Sequence, residues 1–250
     1  MVSHVSAAIV HDIPVWAIPL SRVHVLRDRR TGGRTHRHLT VHAARLPPGD
    51  YTEVDGIRVT TAPRTVIDLA RTLPFEQAVV IGDAALRSGK TTRIELLDQV
   101  NQATGRKGCP AARRVVEFLD GRSESVGESR SRVQLIHSRL PAPELQAIIF
   151  ADYGTRTTRV DYLWPELGLI GEFDGMIKYH KEIRGDHTPE EVVIAEKLRE
   201  DALRALGLRV IRWTWSDLDN PTTWFARLHS AATHPHDPLD PALWRSTPRV

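Results

Sequence analysis

The chain has 250 residues, 41% hydrophobic and 26% charged, which excludes a wholly disordered or collagen-like protein. No stretch approaches the ~18–20 consecutive apolar residues of a membrane span, and Met1 to Leu20 carries His4, His11, Asp12 and two prolines where a signal peptide has an apolar core. Cys109 is the single cysteine, so no internal disulfide can form and a cytoplasmic protein is expected. The formal charge of +3 is too small by itself to indicate a nucleic-acid binder. Its composition says more: of 34 basic residues only five are lysines (Lys90, Lys107, Lys178, Lys181 and Lys197). Arginine-favouring codons account for such a bias, and guanidinium forks also suit bidentate phosphate contact.

In chain order, Ser3–His11 has helical promise, and Val23–Leu26 and His38–Val41 read as strands flanking a Thr31-Gly32-Gly33 turn. Gly56–Thr60 reads as a strand, and Pro63 suits the first turn of a helix running to Arg71. Phe75, Ala78, Val79, Ala85 and Leu86 share one helical face that ends at Gly89. Thr92 and Glu95 make a capping box, and Pro110 opens a helix that stops near Gly121. Gly121–Ser125 reads as a linker. Beyond it, Ser125 and Glu128 form another capping box, for a helix to Leu140. Leu145–Ala151, Arg156–Leu163 and Leu169–Asp174 are strand-like, with turns at Asp152-Tyr153-Gly154 and at 165–168. A helix from Pro189 to Leu206 ends at Gly207, Arg209–Trp215 is a strand, and the segment from His234 reads as a mobile tail. The order predicts an α/β sandwich for the second half.

The anomaly is Leu169–Gly175, an apolar strand carrying Glu172 and Asp174 on one face. Ionised carboxylates in a half-buried strand are costly unless paired, hydrogen-bonded or metal-bound. Asp161 ends the preceding strand, and a hairpin can bring it beside Glu172 around a hard cation such as Mg²⁺. The plainer reading pairs these acids with Arg159 or Arg199. Glu128 is explained by its capping box, or by reaching toward the same cation. Lys178 shares the acidic face if the strand continues, and can position an attacking water. Trp213 and Trp215 read as core. The histidines lack zinc spacing, and no phosphate-cradling glycine loop is present.

Glu128-Ser129-Arg130-Ser131-Arg132, Arg159-Val160-Asp161-Tyr162-Leu163-Trp164, Gly171-Glu172-Phe173-Asp174-Gly175, the run from Glu196 to Asp201 and Val210–Trp215 together resemble a known pattern. It is that of the very-short-patch-repair-like branch of the PD-(D/E)xK nucleases, as found in actinobacterial proteins. The resemblance covers about residues 123–232 and implies a restriction-endonuclease-like mixed sheet flanked by helices. It implies Glu128, Asp161 and Glu172 as catalytic acids, with Mg²⁺ or Mn²⁺ held by Asp161, Glu172 and Asp174. The motif's lysine position is Asp174 here, as in many of that branch, which leaves Lys178 as the candidate basic residue. DNA is the implied partner, with Arg130, Arg132, Arg159, Lys197 and Arg199 along its path.

Residues 3–121 resemble the C-terminal portion of AbiEi-type antitoxin proteins through Ser3–Ala8, Asp55–Thr61 and Pro63–Ala70, without the winged helix that normally opens them. A cognate toxin is the partner this would imply. The expected organisation is therefore a smaller, mostly helical α+β region over 1–121, a nuclease-like domain over 122–232 and a tail over 233–250. The activity expected is metal-dependent DNA endonuclease. The alternative is a non-catalytic DNA-binding regulator, or an antitoxin-like protein, on a degenerate nuclease scaffold.

Overall fold

The computed structural model describes residues 1–151, 156–175, 189–234 and 236–249. The fold is mixed α/β and falls into two compact units, Met1–Ser129 (with Arg249) and Arg130–Pro248. The division lies within a helix, α6, rather than at 121/122. Among the described residues, no helix is long and apolar enough to cross a membrane.

The first unit opens with α1 (His4–Val10), then β1 (Val23–Asp28), β2 (Arg34–Thr35) and β3 (Leu39–Ala44). The strands expected to flank a turn do not form a hairpin: β1 and β3 pair in parallel, with β2 on the far side of β3. The short β2 takes the antiparallel position beside β3, which sends the chain back in the direction of β1. β4 (Tyr51–Val54) and β5 (Ile57–Thr60) form a hairpin closed by Asp55 and Gly56, both at positive φ. Sequence patterning passes over β4, because its exposed residues carry no apolar alternation. Val2 bridges Val25 of β1 and Val59 of β5.

Four helices follow: α2 (Ala62–Ala70), α3 (Phe75–Arg87), α4 (Arg93–Gln102) and α5 (Cys109–Phe118). Thr92 caps α4 as expected, its Oγ1 accepting from the Glu95 N–H at 3.3 Å while the Thr92 N–H donates to Glu95 Oε2 at 2.8 Å. The core is aliphatic, with Val66, Ile67, Leu69, Val79, Ile81 and Leu96 all buried. One ion network is buried with it. Arg64 Nε donates to Asp68 Oδ2 at 2.8 Å and its Nη1 to Asp50, while Gln99 donates to the other Asp50 oxygen at 2.9 Å. Burial opposes the Arg64 charge, but the two aspartates outweigh it and hold the guanidinium pKa above its ordinary value.

In the second unit, the later part of α6 (Val126–Leu135) leads to β6 (Glu144–Ala151), β7 (Arg156–Trp164) and β8 (Leu169–Phe173). Then come α7 (Pro189–Ala205), β9 (Arg209–Trp213), α8 (Trp215–Asp219), α9 (Pro221–Ala232) and β10 (Trp244–Arg245). The sheet order is β10-β6-β7-β8-β9, antiparallel throughout except for the parallel β8–β9 pair. One cluster joins Leu145, Tyr162, Trp164 and Trp213 to Trp224 and Leu228 of α9. The other joins Ala147, Val160, Leu163 and Ile170 to Leu203 of α7. Gly171 lies under Trp213, and a Cβ there would meet that ring at 2.4 Å.

Two expectations are corrected. β9 stops at Trp213 because Thr214 donates its N–H and hydroxyl to Asp217 Oδ2, at 2.9 and 3.2 Å, which starts α8. The segment read as a tail returns to the sheet as β10, drawn in by Leu239, Leu243 and Trp244, which pack in the second cluster.

Candidate functional site

The β7–β8 ladder runs from Trp164↔Leu169 to Tyr162↔Gly171. Beyond it a side chain takes over from the backbone: Asp161 Oδ2 accepts the N–H of Phe173 at 2.9 Å. The Asp161 carboxylate therefore reaches the peptide that follows Glu172. On its other side β7 pairs with β6 as Leu145↔Tyr162 and Ala147↔Val160, which sets Gln146 across from Asp161. Gln146 is buried and has φ 51°. Side chains two apart on a strand share a face, yet Leu145 and Tyr162 belong to one core cluster while Ala147 and Val160 belong to the other. The alternation is thus reset at the Gln146–Asp161 position. A left-handed backbone costs a non-glycine residue roughly 1–2 kcal/mol, and such strain clusters where a fold presents a functional side chain.

Glu172 is the centre of an ion network. Arg199 of α7 grips it with both terminal nitrogens, Nη1 to Oε1 at 2.8 Å and Nη2 to Oε2 at 3.0 Å. Arg212, its register partner on β9, donates Nε to Oε2 at 3.0 Å. Glu196 accepts from Arg199 Nε and Nη2, both at 2.8 Å, and from Arg212, whose Nη1 also reaches Glu200 Oε2 at 3.1 Å. The hydrogen bonds from Arg199 hold the Glu196 carboxyl below its usual pKa. The same bonds raise the Arg199 guanidinium despite its partial burial. Glu172 keeps 15% of its side-chain surface exposed, so the network stands at the border of solvent.

The remaining expected site residues are dispersed. Asp174 is exposed just past β8, its N–H donating to Trp213 O at 2.8 Å. Glu128 belongs to the first unit and serves as a cap: Ser125 Oγ and the Glu124 N–H donate to its two oxygens at 2.8 Å each. Arg130 and Arg132 are buried, and Arg130 lies over Trp215 and donates to Asp219 at 3.1 Å. These two arginines are thereby part of the packing rather than a surface for phosphate. Arg159 and Lys197 are exposed. Lys178, Lys181 and the Asp152-Tyr153-Gly154 turn lie outside the described residues. Sequence reasoning passed over Gln146, which carries no signal, and Arg212, whose link to Glu172 depends on the parallel β8–β9 register. Among the described residues, no group of three His, Cys, Asp or Glu side chains is gathered closely enough to hold a metal ion.

The first unit carries a separate titratable cluster. The His4 and His42 rings stack with centroids 3.5 Å apart, and His24 Nδ1 lies 3.1 Å from His42 Nε2. Desolvation by burial pushes His4 down from 6.5 to about 3, with Asp68 opposing and the neighbouring histidines and Arg64 adding to the drop. His42 is lowered to about 4, again chiefly by burial, then by His24, with Asp68 opposing. His24 is lowered by burial and Arg22.

No family model matches the chain, and no solved structure matches it. Proteins from two strains of Mycobacterium tuberculosis, both described as uncharacterised, are 37% identical over 155 residues. That alignment takes in 62% of this chain and 54% of each relative, so the chain spans about half the length of the curated relatives it matches.

Proposed function

We propose that the second unit is a restriction-endonuclease-like domain that hydrolyses phosphodiester bonds in DNA, with a divalent cation held by Asp161 and Glu172. The order α6, antiparallel β6-β7-β8, α7, then β9 parallel to β8 supports the fold reading, with one acid on the second strand and one on the third. The observation that carries it is the reset strand at Gln146 and Asp161, which turns a carboxylate out of the ladder toward the peptide after Glu172.

The donors fit the group. Both are hard carboxylate oxygens, and Mg²⁺ is commonly held by one or two carboxylates, with waters and substrate phosphates completing its shell. The two Glu172 oxygens are compensated by Arg199 and Arg212, positive charge that a cation would replace. A bound cation would supply Lewis acidity at the phosphate. Asp161 and Glu172 would orient it, Arg199 and Arg212 would offset charge gathering on the phosphate, and Lys178 remains the candidate for positioning water.

The test is supercoiled plasmid incubated with the protein and Mg²⁺ or Mn²⁺, beside an EDTA control. Metal-dependent nicking by the wild type is expected, with loss of ~100-fold or more in Asp161→Ala and Glu172→Ala and unchanged circular dichroism. Equal cutting by both variants would move the site elsewhere. The second reading, a DNA-binding or toxin-pairing regulator on the same scaffold, is favoured by the saturation of both Glu172 oxygens by arginine. It would be adopted if the wild type binds DNA and never cuts it.

A further inference from the structure

The net charge of +3 conceals a strong local excess. Residues 22–45 hold seven arginines against one acid, Asp28, a formal +6 in 24 residues, so the other 226 residues together carry −3. All seven arginines are exposed, and among the described residues none of them is ion-paired. The arginines around Glu172 are the opposite case, each neutralised by glutamates.

The local structure presents this charge as a ribbon. β2 and β3 pair as Arg34↔Val41 and Thr35↔Thr40, and the tip is His36-Arg37-His38, closed by the His36 N–H donating to Leu39 O at 2.7 Å. Arg29 and Arg30 lie in the exposed turn that precedes it. An open groove of about 430 Å³ runs beside the ribbon, lined by Gly33, Arg34, Thr40 and His42 among others. Gly33 lies close under β3, where a Cβ would meet Val41 O at 3.1 Å. Large apolar side chains are nearly absent from the exposed part of this segment, Val23 being the exception, so it does not suit insertion into a lipid surface. Arginine forks without lysine suit bidentate contact with phosphate oxygens, and a two-stranded ribbon has the width that the DNA major groove admits.

We infer that the β2–β3 ribbon and the arginine-rich turn before it form a docking surface for the phosphate backbone of duplex DNA, separate from the acidic site of the second unit. The choice of DNA as the polyanion rests on the phosphodiester reading above. The charge geometry itself does not.

The test uses the full chain in EDTA, so that cleavage plays no part. Fluorescence anisotropy with a labelled duplex is followed over a series of NaCl concentrations, comparing wild type with a variant carrying Arg29→Gln, Arg30→Gln, Arg34→Gln and Arg37→Gln. Each lost phosphate contact lowers the slope of log K against log salt by ~0.9. The variant is expected to lose roughly three units of slope and at least ~10-fold in affinity at low salt. Four exposed substitutions leave the fold intact, which circular dichroism verifies. Unchanged slope and affinity, or no binding by the wild type, would overturn the inference. So would displacement of the duplex by polyglutamate as readily as by unlabelled duplex at equal charge, since the surface would then fit an acidic protein chain. Intact binding with no cleavage in Mg²⁺ would remove the nuclease reading alone.

Discussion

For Glu172, holding a cation means giving up an arginine. Arg199 spends both terminal nitrogens on its carboxylate, and an ion pair this exposed is worth only about 1 kcal/mol. Arg199→Gln should therefore tighten Mn²⁺ binding by about fivefold, read by calorimetry without any substrate. Weaker binding would show that Arg199 organises the acid instead of competing for it. The histidine cluster makes a prediction with a definite sign. His4 titrates near 3 in the folded chain and near 6.5 when unfolded, so the unfolded state binds the extra proton between those values. Stability is complete above about pH 6.5 and falls as the pH drops toward 3. Between pH 6.5 and pH 5 this amounts to roughly 1–2 kcal/mol for His4. His4→Asn removes the titration, and asparagine tolerates the left-handed backbone at this position (φ 52°). Urea midpoints measured down that interval should fall less steeply in the variant. Parallel curves would place the acid sensitivity elsewhere.

At the scale of elements, the short strands carry the most information. Gly171 could be read from sequence as a motif glycine, but its reason is visible only in the sheet, where Trp213 leaves no room for a side chain. Gly171→Ala should cost about 1–3 kcal/mol by overpacking, seen as a lowered thermal midpoint with the Glu172 network intact. A neutral result would mean that the Trp213 ring shifts freely. The alternation of β6, β7 and β8 and the caps at Thr92 and Ser125 were legible, since apolar period and capping chemistry act over a few residues. The partners of Glu172 were half legible. Arg199 stood out as a candidate, while Arg212 is joined to Glu172 only by a register set across a long crossover. Gln146 was not legible at all, because its strain comes from pairing with β7 and not from its neighbours in the chain.

Over the whole chain, composition indicated the class but hid the distribution. An even reading of +3 misses a +6 segment set in an otherwise acidic protein. The division into two units was anticipated, while its position was not, because the boundary falls inside the continuous helix α6 and leaves no glycine or proline signal there. The proline-rich C-terminal stretch was misread for a related reason. Composition suggested mobility, while three apolar side chains decided that it packs. Its two residues of β10 pair with Ile148 and Ile149 of β6 along the outer side of the sheet. A β6 left bare would offer open amide and carbonyl groups beside a run of isoleucine and phenylalanine, a template for a foreign strand. The closing segment thus acts as a guard against self-association, so shortening this chain from its end would put solubility at risk before it touched the chemistry.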